Sequence, residues 1–526
     1  MASTRRISRR ACKGARMRAS AATRREMQPS PRSRRARRTL SGIARHPLPF
    51  IIALALALRI ASAAMPVIAH PDEIYQYLEP AHRLLTGEGI VTWEWRLGMR
   101  SWLLPTLLAP ALALGGWIAP GAALLLPRLL VAIVSLTIPL AAWAIGLRTS
   151  TLHAFLAALV GATWFECVYF AGRTLSEPLA AAAILPAAVL VTAKAPRTPS
   201  LVAAGALLGF AVLLRPHYAP ACIVLVGMAM GRRLFDRSPP LVAGALIAFM
   251  VGATVDLANG APPFAWVIAN FHANIVEHRA DAYGIAPPLT YVAWFEQMWS
   301  WWGIPMLIAL RWGWRHSPPL LAMALVNLAI HMVIGHKEYR FVFLSGTVFV
   351  ILAALGTADL VRLAQRRVPG PLLPAVAIAA WMLASLALFS DATMLRFRES
   401  GRAGTLLFAE AAERDACGVA LYEHPSFVEV PGSVALPPNS AVHLFTRRDR
   451  TVARIGLPLA LARGHRSYNM ILAGITQAHA MPAGYSRIRC VTDATEPMCL
   501  FVRAGECVNT PRSPTLANHV LARLSI

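Results

Sequence analysis

Charge is scarce in this sequence. Only 15% of its 526 residues are Asp, Glu, Lys or Arg, against about 25% in an ordinary soluble domain. That shortage excludes a simple water-soluble fold. Acids are scarcer than bases, 26 against 51, and the formal charge is +25. A glycine-rich phosphate loop is missing, which removes a soluble type of nucleotide-sugar or ATP site. The chelating candidates His70, Asp72, Glu73 and His82 lack an i, i+4 histidine pair or a cysteine pair at ligand spacing, so no metal is expected from them. Internal repeats are absent, and the one low-complexity segment is an Arg-rich N-terminus.

That segment explains most of the positive excess. Residues 1–45 hold fourteen Arg and one Lys against Glu26 alone. Aromatic residues do not interleave with these arginines before Phe50, so nucleic acid is not the expected partner. A disordered basic tail over 1–46, kept on the cytoplasmic side ahead of a first membrane helix, fits better. The apolar run from Leu48 to Ala69 is longer than a signal-peptide core and reads as an uncleaved span.

Hydrophobic residues, 56% of the chain, occur in runs that approach the ~20 residues needed to cross a bilayer. After the first span, runs cover 103–147, 151–171, 178–194, 199–214, 216–231, 240–256, 290–311, 318–335, 341–363 and 371–390. The stretch 103–147 is interrupted by Gly115, Gly116 and Pro120 and is expected to cross once and carry a re-entrant or interfacial piece. The expected fold is thus an all-α polytopic membrane protein of about eleven transmembrane helices over 47–390. Basic punctuation at Arg148, Lys194, Arg197, Arg232, Arg233, Arg311, Arg315, Arg366 and Arg367 marks the cytoplasmic side. The segments 70–102, 173–177, 215–217, 256–291 and 336–340 then face outward together, and with them every conspicuous polar motif.

From residue 391 the long apolar runs stop, and Pro431, Gly432, Pro437 and Pro438 punctuate mixed segments. A small α/β domain outside the membrane is expected over 391–526. Four cysteines lie in it, Cys417, Cys490, Cys499 and Cys507. Disulfides suit them if the domain faces an oxidising compartment, with three pairings open.

The first outward loop, 70–102, is the most chemically loaded segment. Asp72 and Glu73 follow Pro71, and such a pair can simply favour a helix N-terminus. Glycosyl transfer to a hydroxyl asks more of it: a carboxylate must take the acceptor proton while the sugar centre gains oxocarbenium character and phosphate departs. Asp72 fits that role, with Glu73 or Glu94 beside it. Arg100, Arg173, Arg215, His336, Lys337 and Arg340 supply positive groups for the leaving phosphate on the same face. A cationic cluster on the outer side runs against the positive-inside tendency, which favours lipid-phosphate binding at 336–340. Trp93, Trp95, Trp102, Trp294, Trp299, Trp301 and Trp302 read as an interfacial belt.

His70-Pro-Asp-Glu73, the Thr92-Trp-Glu-Trp95 segment leading to Arg100-Ser101, and His336-Lys-Glu-Tyr-Arg-Phe341 together resemble glycosyltransferase family 22. These are lipid-linked α-mannosyltransferases that build GPI anchors and the lumenal branches of the N-glycan precursor, and the likeness is greatest to the third-mannose enzymes of GPI synthesis. Arg173-Thr-Leu-Ser-Glu177, Arg215-Pro216, Asp256, and Tyr283-Gly284 with Pro287 and Tyr291 add matches in order across residues 50–365. The resemblance implies a GT-C fold, a polyprenyl-phosphate mannose donor, inversion, no cofactor or required metal, and Asp72 as general base. It implies donor-phosphate contacts at His336, Lys337 and Arg340, and substrate contacts at His70, Glu94, Arg100, Arg173 and Arg215. Ser176-Glu177 departs from the pattern of many relatives, which leaves Glu177 without a carried-over role. The acceptor is expected to be a lipid-linked or other extracytoplasmic glycan, at the periplasmic face of a bacterial inner membrane or in the lumen of a eukaryotic endoplasmic reticulum. A transferase for another lipid-linked sugar, or a transporter or flippase of such a lipid, is the alternative.

Overall fold

Hydrocarbon offers no partner for backbone N–H and C=O groups, so apolar runs must satisfy their own hydrogen bonds as helices. A computed structural model of the chain shows this outcome for residues 47–119, 122–423, 429–508 and 512–525, which are the described residues. The basic segment 1–46 lies outside them. Five helical segments are long and apolar enough to cross a membrane: Pro47–Ala64, Leu125–Leu147, Pro216–Ala258, Tyr339–Gln365 and Leu372–Ser390. Thr151–Thr163 and Phe165–Ala171, bent by 53° at their junction, make a sixth if counted as one. Leu103–Ile118, Ser176–Val191, Thr198–Leu214, Ala265–Val276 and Pro318–Val333 are apolar but shorter. Length and composition alone therefore give five or six long spans, and about eleven apolar helices when the shorter ones are included. The 43-residue stretch Pro216–Ala258 contains a break at Gly231, whose φ is 51°. The run 290–311 is broken too, into Thr290–Trp299 and Gly303–Gly313.

Small residues let the helices approach closely. A Cβ on Gly313 would lie 1.7 Å from the Leu352 carbonyl oxygen, and one on Gly356 would lie 1.8 Å from that of Ala309. Close helix contact of this kind drives association where burial from water does not. It sets helix Phe343–Gln365 in the middle of the bundle, with Leu344, Val350, Leu352, Ala354, Leu355 and Ala358 fully buried.

The bend at Trp164 frees three carbonyls that a continuous helix would have used. Arg59, buried in the first span, donates to Ala162 O at 3.0 Å and Gly161 O at 3.2 Å, and Ser385 Oγ donates to Thr163 O at 2.8 Å. A broken helix is tolerated in a membrane when neighbours restore such bonds. The bend leads through Phe165–Ala171 to the 172–177 connection, which borders the site.

The C-terminal part carries a five-stranded sheet of order β2-β1-β3-β5-β4, from β1 (Gly418–Tyr422), β2 (Ala441–Phe445), β3 (Met470–Gly474), β4 (Ser486–Val491) and β5 (Met498–Val502). β1 runs parallel to β2 and β3, and β5 runs antiparallel to β3 and β4. Helix Arg402–Glu413 packs on this sheet. Cys417 is bonded to Cys507 and Cys490 to Cys499, one of the three pairings the spacing left open.

Glu79 fastens this part to the loop after the first span. It is fully buried and accepts from Ile90 N at 2.7 Å, Ser433 Oγ at 2.6 Å and Val434 N at 2.9 Å. Gly432, at φ 71°, could hold no side chain, because a Cβ would meet Glu79 Oε1 at 2.3 Å. Hydrogen bonds contribute about 0.5–1.5 kcal/mol each, and orphaned buried donors add a desolvation cost of about 1–3 kcal/mol. Glu79→Ala should therefore lose about 3 kcal/mol or more of local stability. Hydrogen exchange should rise across residues 418–502 while the helix Phe343–Gln365 keeps its protection. Unchanged exchange in the sheet would show that Glu79 does not fasten it.

Candidate active site

The 65–73 segment leaves the first span without regular structure, so side chains from neighbouring helices hold its carbonyls. Arg128 donates to Met65 O and Val67 O, each at 3.0 Å. Arg173 donates to Val67 O at 2.9 Å and Ser62 O at 2.6 Å. Glu73, 1% exposed, pairs with Arg128 and accepts from Thr174 N at 3.1 Å. These three buried groups form a brace behind the loop. Asp72 then opens a wide, π-type helical turn, Glu73–Leu78, yet its side chain makes no capping bond. Such turns recur at functional sites, and here the carboxylate is left to face another partner.

That partner is Arg340, which donates to Asp72 Oδ2 at 2.7 Å. Asp72 Oδ1 accepts no hydrogen bond among the described residues, and its side chain stays 23% exposed. Arg340 is itself buried. It also bonds Glu338 Oε2 and Oε1 at 2.8 and 2.7 Å and pairs with Glu177 Oε1 at 3.2 Å. Glu177 is fully buried and pairs with Arg215 at 3.0 Å; the Arg215 guanidinium lies 4.7 Å over the Phe341 ring. Two arginines thus bind three carboxylates from the 72, 177 and 338 segments.

A cavity of about 990 Å³ opens over this network. Its walls include His70, Asp72, Glu94, Arg100, Arg215, His336, Lys337 and Arg340, eight of the ten residues that the motifs singled out. Glu73 and Arg173 do not line it. The structure puts them in the brace, where Arg173 donates to the loop carbonyls and Glu73 bonds Arg128 and Thr174 N. Lys337 reaches the wall, but its ammonium donates to the carbonyls of His331 at 3.4 Å, Met332 at 3.0 Å and Ile334. All three N–H groups are occupied in closing the end of helix Pro318–Val333, which leaves no donor for a phosphate oxygen. Arg340 is similarly committed to carboxylates.

Several lining groups were not legible as site residues. His217 and His331 face each other with ring centroids 6.0 Å apart, and His217 Nδ1 and His331 Nε2 have no hydrogen-bond partner among the described residues. His70 Nε2 is equally without one, its ring stacked 5.6 Å from Phe170. Burial, reinforced by Arg340, pushes the His70 imidazole down to about 3, so it meets a ligand as a neutral hydrogen-bonding group. Tyr283 OH accepts from Trp93 Nε1 at 2.6 Å, which joins the first loop to the 279–283 turn. Arg396, exposed at the rim, makes no salt bridge among the described residues. His70 and Tyr283 had signals in the sequence, in the His70–Glu73 and Tyr283-Gly284 motifs, and His217 stands in the outward 215–217 segment; His331 and Arg396 had none.

His336 and Glu338 are bonded at 3.4 Å. That hydrogen bond raises the His336 imidazole above its ordinary 6.5, against the opposing effect of burial. Burial alone would raise the Glu338 carboxyl, but Arg340 and the bonds from His336 and Arg340 hold it well below the usual range. His336 therefore keeps its positive charge to a higher pH than a free imidazole. Affinity for an anionic ligand should hold at pH values below the raised value and weaken as pH climbs through it, with His336→Asn flattening the profile. An apparent KM or Kd independent of pH across that range in the unmodified protein would exclude His336 from the anion site.

The family model described as the Alg9-like mannosyltransferase family matches residues 50–409. GPI mannosyltransferase 3 of Yarrowia lipolytica is 29% identical over 313 residues, covering 56% of this chain and 59% of that protein. The mouse GPI alpha-1,2-mannosyltransferase 3 is 22% identical over 321 residues, 56% of each chain. The chain thus spans less than two thirds of the length of these relatives. Among solved structures, ArnT from Cupriavidus metallidurans bound to undecaprenyl phosphate superposes with a TM-score of 0.57 at 12% identity, over 88% of this chain and 99% of that one. The apo form of the same protein gives 0.55. The fold is therefore of the GT-C type, a multi-pass membrane architecture with a small C-terminal sheet.

Proposed function

The chain belongs to the Alg9-like mannosyltransferase family, and from that premise we propose that it transfers mannose from a polyprenyl-phosphate mannose to a hydroxyl of a glycan or glycolipid acceptor, with inversion. The observation that carries this reading is Asp72. It is the one carboxylate in the Arg340 network, among the described residues, that also lines the cavity with an oxygen left unbonded. Asp72 accepts the acceptor proton while the hydroxyl attacks the anomeric carbon and phosphate leaves from the opposite face. Fixing that carboxylate at Arg340 gives orientation, which itself lowers the barrier. The unpartnered ring nitrogens of His70, His217 and His331 offer hydrogen bonds to neutral sugar hydroxyls. The leaving phosphate draws on His336, Arg100 and Arg396, while Lys337 is held by helix-end carbonyls and Arg340 is paired with three carboxylates. Glu94, 3.5 Å from Arg100, positions it, and Glu73 and Arg173 position the loop.

Binding of undecaprenyl phosphate by the structural neighbour supports a polyprenyl donor, and the exposed helix faces suit its chain. The two disulfides support an outward orientation for the C-terminal part and for the cavity beside it. We assign the site accordingly to the extracytoplasmic side of a protein with about eleven spans.

Proteoliposomes offered radiolabelled polyprenyl-phosphate mannose, with glucose and arabinose counterparts, test the assignment against an extract of acceptor lipids. The mannosyl donor should be consumed preferentially. Arg396→Ala should raise its KM by about tenfold, the worth of one charge-assisted contact, and leave kcat within a few-fold. Folded protein that turns over another sugar lipid instead, or none, overturns the proposal.

A further inference from the structure

A second cluster of ligating side chains lies far from the cavity. His153, on helix Thr151–Thr163, His316, in the turn Trp314–His316, and Asp359, on helix Phe343–Gln365, converge from three separate segments, with candidate ligand atoms within 4.8 Å of one another. Asp359 lies roughly 24 Å along its helix from Phe343, at the end away from the cavity.

We propose that His153, His316 and Asp359 bind a divalent transition-metal ion, with zinc the best match, that ties these three segments together. Two imidazoles and a carboxylate are a zinc-type donor set, with a fourth position left for water. Both histidines present Nε2 to the same carboxylate, His153 at 2.9 Å from Oδ1 and His316 at 2.7 Å from Oδ2. Ligand atoms on a tetrahedral zinc stand about 3.3 Å apart, given bonds of about 2.0–2.2 Å, so an ion asks the two histidine–carboxylate contacts to open slightly within a cluster whose ligand atoms already lie within 4.8 Å of one another. The outer contacts are already in place. Ser150 Oγ lies 2.8 Å from His153 Nδ1, and Thr149 Oγ1 lies 3.1 Å from His316 Nδ1. A histidine bound through Nε2 carries its proton on Nδ1, and a hydroxyl acceptor there fixes the tautomer and the ring. His153 is fully buried, while His316 and Asp359 remain 14% and 32% exposed, which gives an ion a route in. None of the three serves the glycosyl-transfer site, so the proposal stands apart from the activity.

Untagged full-length protein in detergent, stripped with EDTA and desalted, would be titrated with Co²⁺ and followed by its visible d–d absorption. Zinc retained after desalting would be measured by mass spectrometry. The expected result is a saturable tetrahedral-type cobalt spectrum displaced by zinc, about one zinc retained per chain, and a rise in melting temperature with zinc. His153→Ala and Asp359→Asn should each weaken uptake by more than about 100-fold, and Ser150→Ala by about tenfold. Asp359→Asn preserves size and hydrogen bonding and decides the matter if His153→Ala does not fold. Uptake by the wild type no greater than by Asp359→Asn would mean that the cluster is only a hydrogen-bonded brace. Uptake unaffected by either substitution would put the metal elsewhere. Either result overturns the proposal.

Discussion

Asp72→Asn should abolish most of the transfer while leaving the protein folded and able to bind its donor. General-base catalysis contributes about 10²–10⁴-fold, and kcat should fall by a factor in that range, with donor KM nearly unchanged. The substitution is nearly isosteric. Its amide oxygen can still accept from Arg340, and Arg340 retains Glu177 and Glu338, so the network survives. What is lost is the ability to take a proton. Product formation from radiolabelled donor in proteoliposomes, with the melting temperature as a control for folding, measures both. Wild-type kcat in Asp72→Asn would move the base to another residue, and Glu94, which also lines the cavity, would be the next to examine.

Removal of Arg340 has a different signature, because the cation serves folding and catalysis together. Arg340→Ala strands Glu177, which is fully buried, with Arg215 as its remaining partner, and frees Asp72 to rotate. Breaking one side of a buried ion network costs about 3–5 kcal/mol. The expected outcome is a large drop in melting temperature and transfer below detection. Adding Glu177→Gln should recover much of the stability, since the stranded charge goes with it, but no activity, since Asp72 stays unheld. A double variant that regains both would show that Arg340 acts through Glu177 alone. Arg340→Lys should fall between: the charge is kept, but one ammonium cannot span the three carboxylates that the planar guanidinium fork reaches.

The eight motif residues that meet at the cavity were legible because each belongs to a short string whose residue types already imply chemistry. An acid follows Pro71 at the end of a span, and cations sit at a helix end where the membrane's charge bias disfavours them. The same logic did not foresee that Glu73 and Arg173 stand behind the loop rather than on the cavity wall. Nothing in a string of letters says whether a side chain turns toward a cavity or back toward its own loop, and backbone carbonyls in need of donors leave no trace in the sequence. Lys337 shows the point most sharply: its motif is right and its place on the wall is right, but all three of its protons are spent on helix-end carbonyls. The span count of about eleven was not settled by length and composition, which give five long spans, or six with the bent pair. Hydropathy registers apolar runs but not breaks, and the bend at Trp164 is stable only because Arg59 and Ser385, distant in sequence, supply the missing hydrogen bonds.

By itself the sequence determined the solvent of this protein, its helical class, the change of character near residue 391, and the family to which its motifs belong. The first three follow from local composition and periodicity, which lipid and water read residue by residue; the family rests on the resemblance of its motifs. Tertiary structure alone decided which cations stay free for a ligand, which cysteines pair, that Glu177 anchors both arginines, and that His153, His316 and Asp359 meet at one point. Each of these depends on side chains tens to hundreds of residues apart competing for the same few hydrogen-bonding atoms, and that competition is settled only when the helices pack.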